Sequence, residues 1–174
     1  MRFEVESLTA EGKPFEQTYA PAELPLEDEH ATLTAGVRAW GRASRRHDEV
    51  RVGGSLQTSV ELRCDRCLGP APMPVNVDFV ANFVRAGDPV AEARELHDED
   101  LEVSVYDGDS VDLDEIVREQ ILLALPARQL CRDDCRGLCP ECGKNLNTES
   151  CDCARHETDP RWAALADMNK ERES

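Results

Sequence analysis

The chain of 174 residues carries 36 acidic and 20 basic residues, a formal net charge of −16, with 40% apolar residues and only 5% aromatics. That length suits one domain, or one domain with a small appendage, around a core lean in large rings. The acidity disfavours non-specific binding to phosphate backbones except through local basic clusters, and makes a basic protein partner electrostatically easier.

The opening "MRFEVESLTAEGKPFEQ" has no basic start followed by an apolar run, so it does not read as a secretory signal. No window approaches the run of about 18 apolar residues that a membrane span needs. A cytoplasmic setting is expected, in which thiols stay reduced.

Residues 1 to 85 read as strands and hairpins. Phe3, Val5 and, less regularly, Leu8 alternate in "RFEVESL", and Leu33, Ala35, Val37 and Ala39 share one parity in "ATLTAGVRAWGRA". The polar "SRRHDE" suits a hairpin tip. After it Val50 and Val52, then Leu56, Thr58, Val60 and Leu62, share a face, with Gly53 and Gly54 placed for a bulge or sharp bend. Val75, Val77 and Phe79 alternate in a run whose prolines imply an edge strand or a strand start. The acid-rich stretch within residues 92–102 reads as a solvated connector, and Leu101, Val103 and Val105 return to strand alternation.

"VDLDEIVREQILLALP" changes the period. Leu113, Ile116, Val117, Gln120, Ile121, Leu123 and Ala124 fit one face of a helix over 112–125. Asp112 is placed to cap it, with Glu115 in the capping-box position, and Pro126 ends it. Further on, Asp159 and Pro160 announce a short helix that Trp162 and Leu165, with Met168, would dock.

Eight cysteines carry the chemistry. Cys64-Asp-Arg-Cys67 stands alone, while "CRDDCRGLCPECGKNLNTESCDC" holds Cys131, Cys135, Cys139, Cys142, Cys151 and Cys153. In a reducing compartment such spacing points to metal ligands or redox groups before disulfides. Two residues between thiolates put both sulfurs on one tight turn whose N–H groups can soften their charge. Eight thiolates make two tetrahedral sites. Cys139, Cys142, Cys151 and Cys153 can close one ribbon loop, leaving Cys131 and Cys135 to reach back to Cys64 and Cys67. One zinc with some free thiols is the alternative, and His156 can replace a thiolate if the grouping differs. Cys135-x3-Cys139-x2-Cys142 also spells an iron–sulfur spacing, but the short β-rich chain lacks the α/β barrel which that chemistry uses. A thioredoxin-like pair would need a βαβ frame, also absent from the pattern. The other histidines sit in polar stretches, and no nucleophile arrangement or phosphate-cradling loop stands out.

The basic cluster Arg38, Arg42, Arg45, Arg46 and Arg51, with Trp40 nearby, reads either as a local phosphate contact or as an ordinary soluble hairpin end. Arg63, Arg66, Arg128, Arg132 and Arg136 crowd the cysteine pairs. Arg42, Arg45, Arg46 and Arg66 are the candidate RNA contacts.

"LRCDRCLGP", "VDLDEIVREQILLALP", the cysteine stretch and "DPRWAALADM", in that order, closely resemble the YceD family of large ribosomal RNA subunit accumulation proteins. The resemblance covers about residues 55 to 168. It implies a non-enzymatic role in accumulation or processing of 23S ribosomal RNA. The implied partners are a large-subunit precursor, its 23S RNA or a basic ribosomal protein, with no membrane and no small-molecule substrate. A zinc-stabilised acidic adaptor between proteins, unrelated to ribosomes, is the other reading.

The expected fold is α+β. A mainly antiparallel, barrel- or sandwich-like β body with one main helix occupies residues 1–126. A cysteine-rich tail, a zinc ribbon with a short C-terminal helix and one or two structural zinc ions, occupies residues 127–174.

Overall fold

A computed structural model describes residues 1–86 and 103–153. The acidic connector and the helix expected from Asp159 lie outside the described residues. The chain divides into two compact units, Met1–Cys135 and Arg136–Ser174.

The first unit is built on an open mixed sheet. Strands β1 (Arg2–Glu4), β2 (Lys13–Tyr19), β3 (Ala31–Leu33), β4 (Val37–Arg46), β5 (Glu49–Arg63), β6 (Pro70–Arg85), β7 (Val103–Tyr106) and β8 (Ser110–Asp112) precede helix α1 (Leu113–Leu123). The order β2-β4-β5-β6-β7, with β3 also paired to β5, makes a six-stranded sheet, and β1 and β8 form a separate two-stranded one. The expected barrel is not closed: β2 and β7 stand at opposite ends of the sheet and do not pair. Nor is it wholly antiparallel, because β7 runs parallel to β6 over Asn82–Arg85.

Alternation decides which face is buried. Val37, Ala39, Ala43, Val50, Val52, Leu56 and Val60 are fully buried and meet α1 through Leu113, Ile116, Val117 and Ile121. The helix packs against β6 and β1. Asp112 caps it by accepting from the Asp114 N–H at 3.0 Å, one residue earlier than the Glu115 position of a capping box. Leu123, expected on the buried face, is 70% exposed, and Leu122 packs there instead. The chain leaves the helix before Pro126, so the last-turn residues follow the exit path and not the apolar stripe.

Three strand expectations shift. The run around Ala35 breaks at 34–36 into β3 and β4, which both lie along β5, and Ala35 is exposed. Four residues there oppose two on β5, and the bulge is held by Thr34 N–H donating to Ser59 O at 2.9 Å. Gly53 and Gly54, by contrast, sit in an unbroken strand. Gly54 faces Gly41, where a Cβ on Gly41 would lie 2.2 Å from Gly53 O, so the glycines permit close strand approach and not a bend. In β7, Val103 is half-buried and Ser104 exposed as expected, but Val105 is 61% exposed and Tyr106 is buried, so the alternation fails at the end of the strand. The prolines of β6 fall where only β5 pairs with it, as an edge segment requires.

The second unit, described over 136–153, contains a short hairpin. Leu138 and Asn145 form an antiparallel bridge, and Leu146 N–H donates to Gly137 O at 2.9 Å.

Candidate metal centres

Cys64 and Cys67 occupy the turn that carries β5 into β6. Cys64 N–H donates to Gly69 O and Leu68 N–H to Cys64 O, both at 2.9 Å. The same two bonds recur in the second unit: Cys139 N–H donates to Lys144 O at 2.8 Å and Gly143 N–H to Cys139 O at 2.9 Å. The chain therefore builds one knuckle twice. The residue after the second cysteine takes a left-handed backbone in each, Gly143 at φ 71° and Leu68 at φ 58°. Gly143 adopts it freely, whereas Leu68 is strained there.

The partner thiols of the first knuckle come from the segment beyond α1. Asp65 and Gln129 hold that segment against the turn, with Asp65 N–H donating to Gln129 O at 2.9 Å and Gln129 N–H to Asp65 Oδ2 at 2.6 Å. Arg66 adds a bond from its guanidinium to Cys135 O at 2.7 Å. Cys64 Sγ then lies 3.7 Å from Cys135 Sγ, and Cys67 Sγ 3.6 Å from Cys131 Sγ.

Two tetrads result, Cys64, Cys67, Cys131 and Cys135 in the first unit, and Cys139, Cys142, Cys151 and Cys153 in the second. Within each, all four sulfurs lie within 4.8 Å of one another. Four thiolates about 2.3 Å from a central ion mark the corners of a tetrahedron with edges of about 3.8 Å. The separations of 3.6 and 3.7 Å in the first tetrad match that edge, and they are far too long for a disulfide of about 2.05 Å. The tetrads are thus positioned to hold metal ions. They differ in cover: Cys64, Cys67 and Cys135 are buried around an exposed Cys131, whereas only Cys139 is buried in the second set.

The electrostatics favour a cation. Burial of Cys64 opposes its ionisation, but the N–H groups of Cys131, Cys67 and Arg66 outweigh this and bring its thiol down to about 6. Although Cys131 is exposed as a residue, local desolvation of its sulfur and the neighbouring thiols of Cys67, Cys135 and Cys64 push it up to about 12. In the second set the N–H groups of Cys142 and Glu141 bring Cys139 down to about 7. The Cys142 thiol and local desolvation of the sulfur push Cys153 up to about 12. Each tetrad thus has one easily formed thiolate whose charge resists a second. A divalent cation at the centre removes that repulsion and lets all four ionise.

The candidate RNA contacts do not all gather into one site: Arg42 and Arg46 share the outer face of β4, Arg45 alternates to the other side, and Arg66 belongs to the Cys64 turn. Arg42 donates to Glu11 O at 3.1 Å and Gly12 O at 2.7 Å, and Arg45 to His47 O at 2.9 Å. Those two and Arg66 therefore have part of their donor set engaged by backbone carbonyls, while Arg46 is exposed at the end of β4. Arg38, left out of that set, lies over the Trp40 ring at 5.0 Å from its centroid and pairs with Glu16 at 2.7 Å. Sequence reading also missed Asp65 and Asn147, whose Oδ1 accepts from Arg136 N–H at 2.8 Å. Their only signal was position, Asp65 within the first cysteine pair and Asn147 in the loop between Cys142 and Cys151.

An open sheet bearing a cysteine knuckle at one turn, followed by a second thiolate ribbon, defines a small protein with two thiolate tetrads positioned to hold metal ions. The family described as "Large ribosomal RNA subunit accumulation protein YceD" matches residues 52–169, and the chain belongs to it. An uncharacterised protein of Mycobacterium tuberculosis is 34% identical over 155 residues, covering 86% of this chain and 70% of that protein. The protein YlbN of Bacillus subtilis is 25% identical over 170 residues, covering 97% and 95%. A maize protein named as a chloroplastic YCED homolog 1 is 30% identical over 136 residues, covering 63% of this chain and 46% of its own length. No solved structure matches. Among the described residues, no helix is long and apolar enough to cross a membrane.

Proposed function

We propose that the chain is a non-catalytic factor for accumulation and processing of 23S ribosomal RNA during large-subunit assembly. It acts in the cytoplasm with a structural zinc ion in each tetrad. The observation that carries this reading is membership of a family described by large ribosomal RNA accumulation, a description that plant relatives bear in their names. Zinc is supported by the donor set, since four thiolates on short turns suit a tetrahedral ion without geometric preference. A four-thiolate shell leaves no position for water, which supports a structural ion and a non-catalytic chain. Eight reduced thiols suit a reducing compartment. The partner is a large-subunit precursor, met through its RNA or through a basic ribosomal protein, and the net charge of −16 keeps the second route open.

The test is deletion followed by RNA profiling and ribosome sedimentation. The expected result is loss of 23S RNA and of large subunits, with the protein in precursor fractions. Normal RNA after deletion, with the protein only in free fractions, overturns the reading and favours the acidic adaptor. RNA turnover by the purified protein, lost on a substitution that preserves folding, overturns the non-catalytic part.

A further inference from the structure

The six-stranded sheet buries one face, and the residues that alternate with its core look outward. Along β4 these are Arg38, Trp40, Arg42, Ser44 and Arg46. Cross-strand register sets Trp40 beside Ser55 of β5 and Glu16 of β2, and Arg42 beside Gly53. Among the described residues, Trp40 is the one aromatic ring on this face: Phe15, Tyr19, Phe79 and Tyr106 are all buried, and Phe83 shares the core face with Val50.

Trp40 is half-buried, and its surroundings leave part of the ring accessible. Its neighbours on β5 are small, and a Cβ at Gly53 would meet nothing nearer than 3.8 Å, so the floor beside the indole is bare backbone. Arg38 lies over the ring with its guanidinium 5.0 Å from the centroid, oriented by Glu16. Together they make a composite stacking platform. Arg46 and Arg51 stand exposed toward the hairpin end of the same face. Over the length of β4 this face carries four arginines (Arg38, Arg42, Arg46, Arg51) against three carboxylates (Glu16, Glu49, Asp78). Two of those carboxylates are engaged, Glu16 by Arg38 and Asp78 by the Ser55 hydroxyl at 2.6 Å. In a chain of net charge −16, a face with a cationic excess is a marked departure.

We propose that this outer sheet face is a docking surface for a single-stranded RNA segment. A base stacks on the Trp40–Arg38 platform, and backbone phosphates lie against Arg46 and Arg51. The charge excess is complementary to a phosphate chain, and the stacked planes match unpaired bases, which duplex RNA keeps within its own stack. The choice of RNA rests on the ribosomal reading above; the platform itself rests on geometry alone.

The test uses the full metal-loaded chain and a labelled single-stranded RNA of about 12 nucleotides, the order of a sheet-type binding site. Its duplex and an arginine-rich peptide serve as competitors. The single strand competes best, Trp40→Leu weakens it roughly tenfold, and Arg46→Gln with Arg51→Gln lowers the log–log salt slope by about 1.4. Lys144→Gln, in the other unit, leaves both values unchanged. Equal affinity of wild type and Trp40→Leu, with unchanged circular dichroism, overturns the proposal. So does tighter binding of the peptide that Trp40→Leu abolishes, which marks a protein-docking face. Should Trp40→Leu misfold, the exposed arginine pair decides: an unchanged salt slope overturns the proposal. These binding arms stand whether or not deletion alters ribosomal RNA. Full rescue of 23S RNA by Trp40→Leu in the deletion strain would remove this face while leaving the ribosomal role intact.

Discussion

Asp65 and Gln129 exchange two hydrogen bonds across 64 positions of sequence, at 2.9 Å through main-chain atoms and 2.6 Å through the Asp65 carboxylate. That pairing holds the segment carrying Cys131 and Cys135 against the Cys64 knuckle through bonds that involve no thiol. Asp65→Ala removes the shorter bond and leaves the Gln129 N–H unpaired. It should lower stability of the metal-free first unit by about 1–2 kcal/mol in urea unfolding. The loss should shrink in the metal-loaded protein, where the thiolates hold the segment instead.

Metal affinity should fall steeply with acid. Cys67 and Cys131 are both held above the ordinary thiol value, Cys67 because burial and the Cys64 thiol outweigh its bond from the Gly69 N–H. A bound ion must displace their protons, so log affinity at the first tetrad should rise by at least about two per pH unit near neutrality. Protonation of the favoured thiolate adds one more proton to the competition. It does so below about 7 for Cys139 and below about 6 for Cys64. On acidification the second tetrad should therefore release its ion first, by a fraction of a pH unit, in a colorimetric chelator titration. Simultaneous release would contradict this.

The glycine pair gives a contrast within one strand. A Cβ at Gly54 would lie 2.2 Å from Trp40 O, whereas one at Gly53 meets only atoms at 3.8 Å. Gly54→Ala must part β4 from β5 and should destabilise by about 2–3 kcal/mol. Gly53→Ala should change stability by less than about 0.5 kcal/mol, its lost chain entropy and better strand propensity both being favourable. Thermal unfolding of the two variants side by side makes the comparison.

Leu68 sits at φ 58° while 63% exposed. It occupies the seat that Gly143 fills in the second knuckle, so folding alone would prefer glycine there. Leu68→Gly should raise stability by about 0.5–1 kcal/mol, as relief of left-handed strain exceeds the added entropy of the unfolded chain. A loss of stability would mean that the leucine side chain packs in a way its exposure does not reveal.

Much of this structure was legible in the residues because it rests on local rules. Alternation marked the buried parity of β4 and β5, and the 3.6-residue period with Asp112 before it marked α1. Cysteine spacing divided eight thiols into two groups, since short loops can only close on themselves. What failed to show depends on non-local geometry. The exposure of Val105 and burial of Tyr106 at the end of β7 go with its parallel pairing to β6, which the strand's own sequence does not encode. The break at 34–36 comes from how β3 and β4 share β5. The role of Gly54 becomes visible only when Gly41 is known to stand opposite. Asp65 looked like a filler between ligands until Gln129 arrived beside it.

Metal stoichiometry tests the central claim, two closed four-thiolate centres in separate units, most directly. Native mass spectrometry of the purified chain should find two zinc ions, and one each in Cys64→Ser and Cys142→Ser. Chelation should loosen the segment after α1 by hydrogen exchange in the first variant's unit and spare the sheet core. A single ion in the wild-type protein, or visible absorbance from an iron–sulfur cluster, would contradict the account.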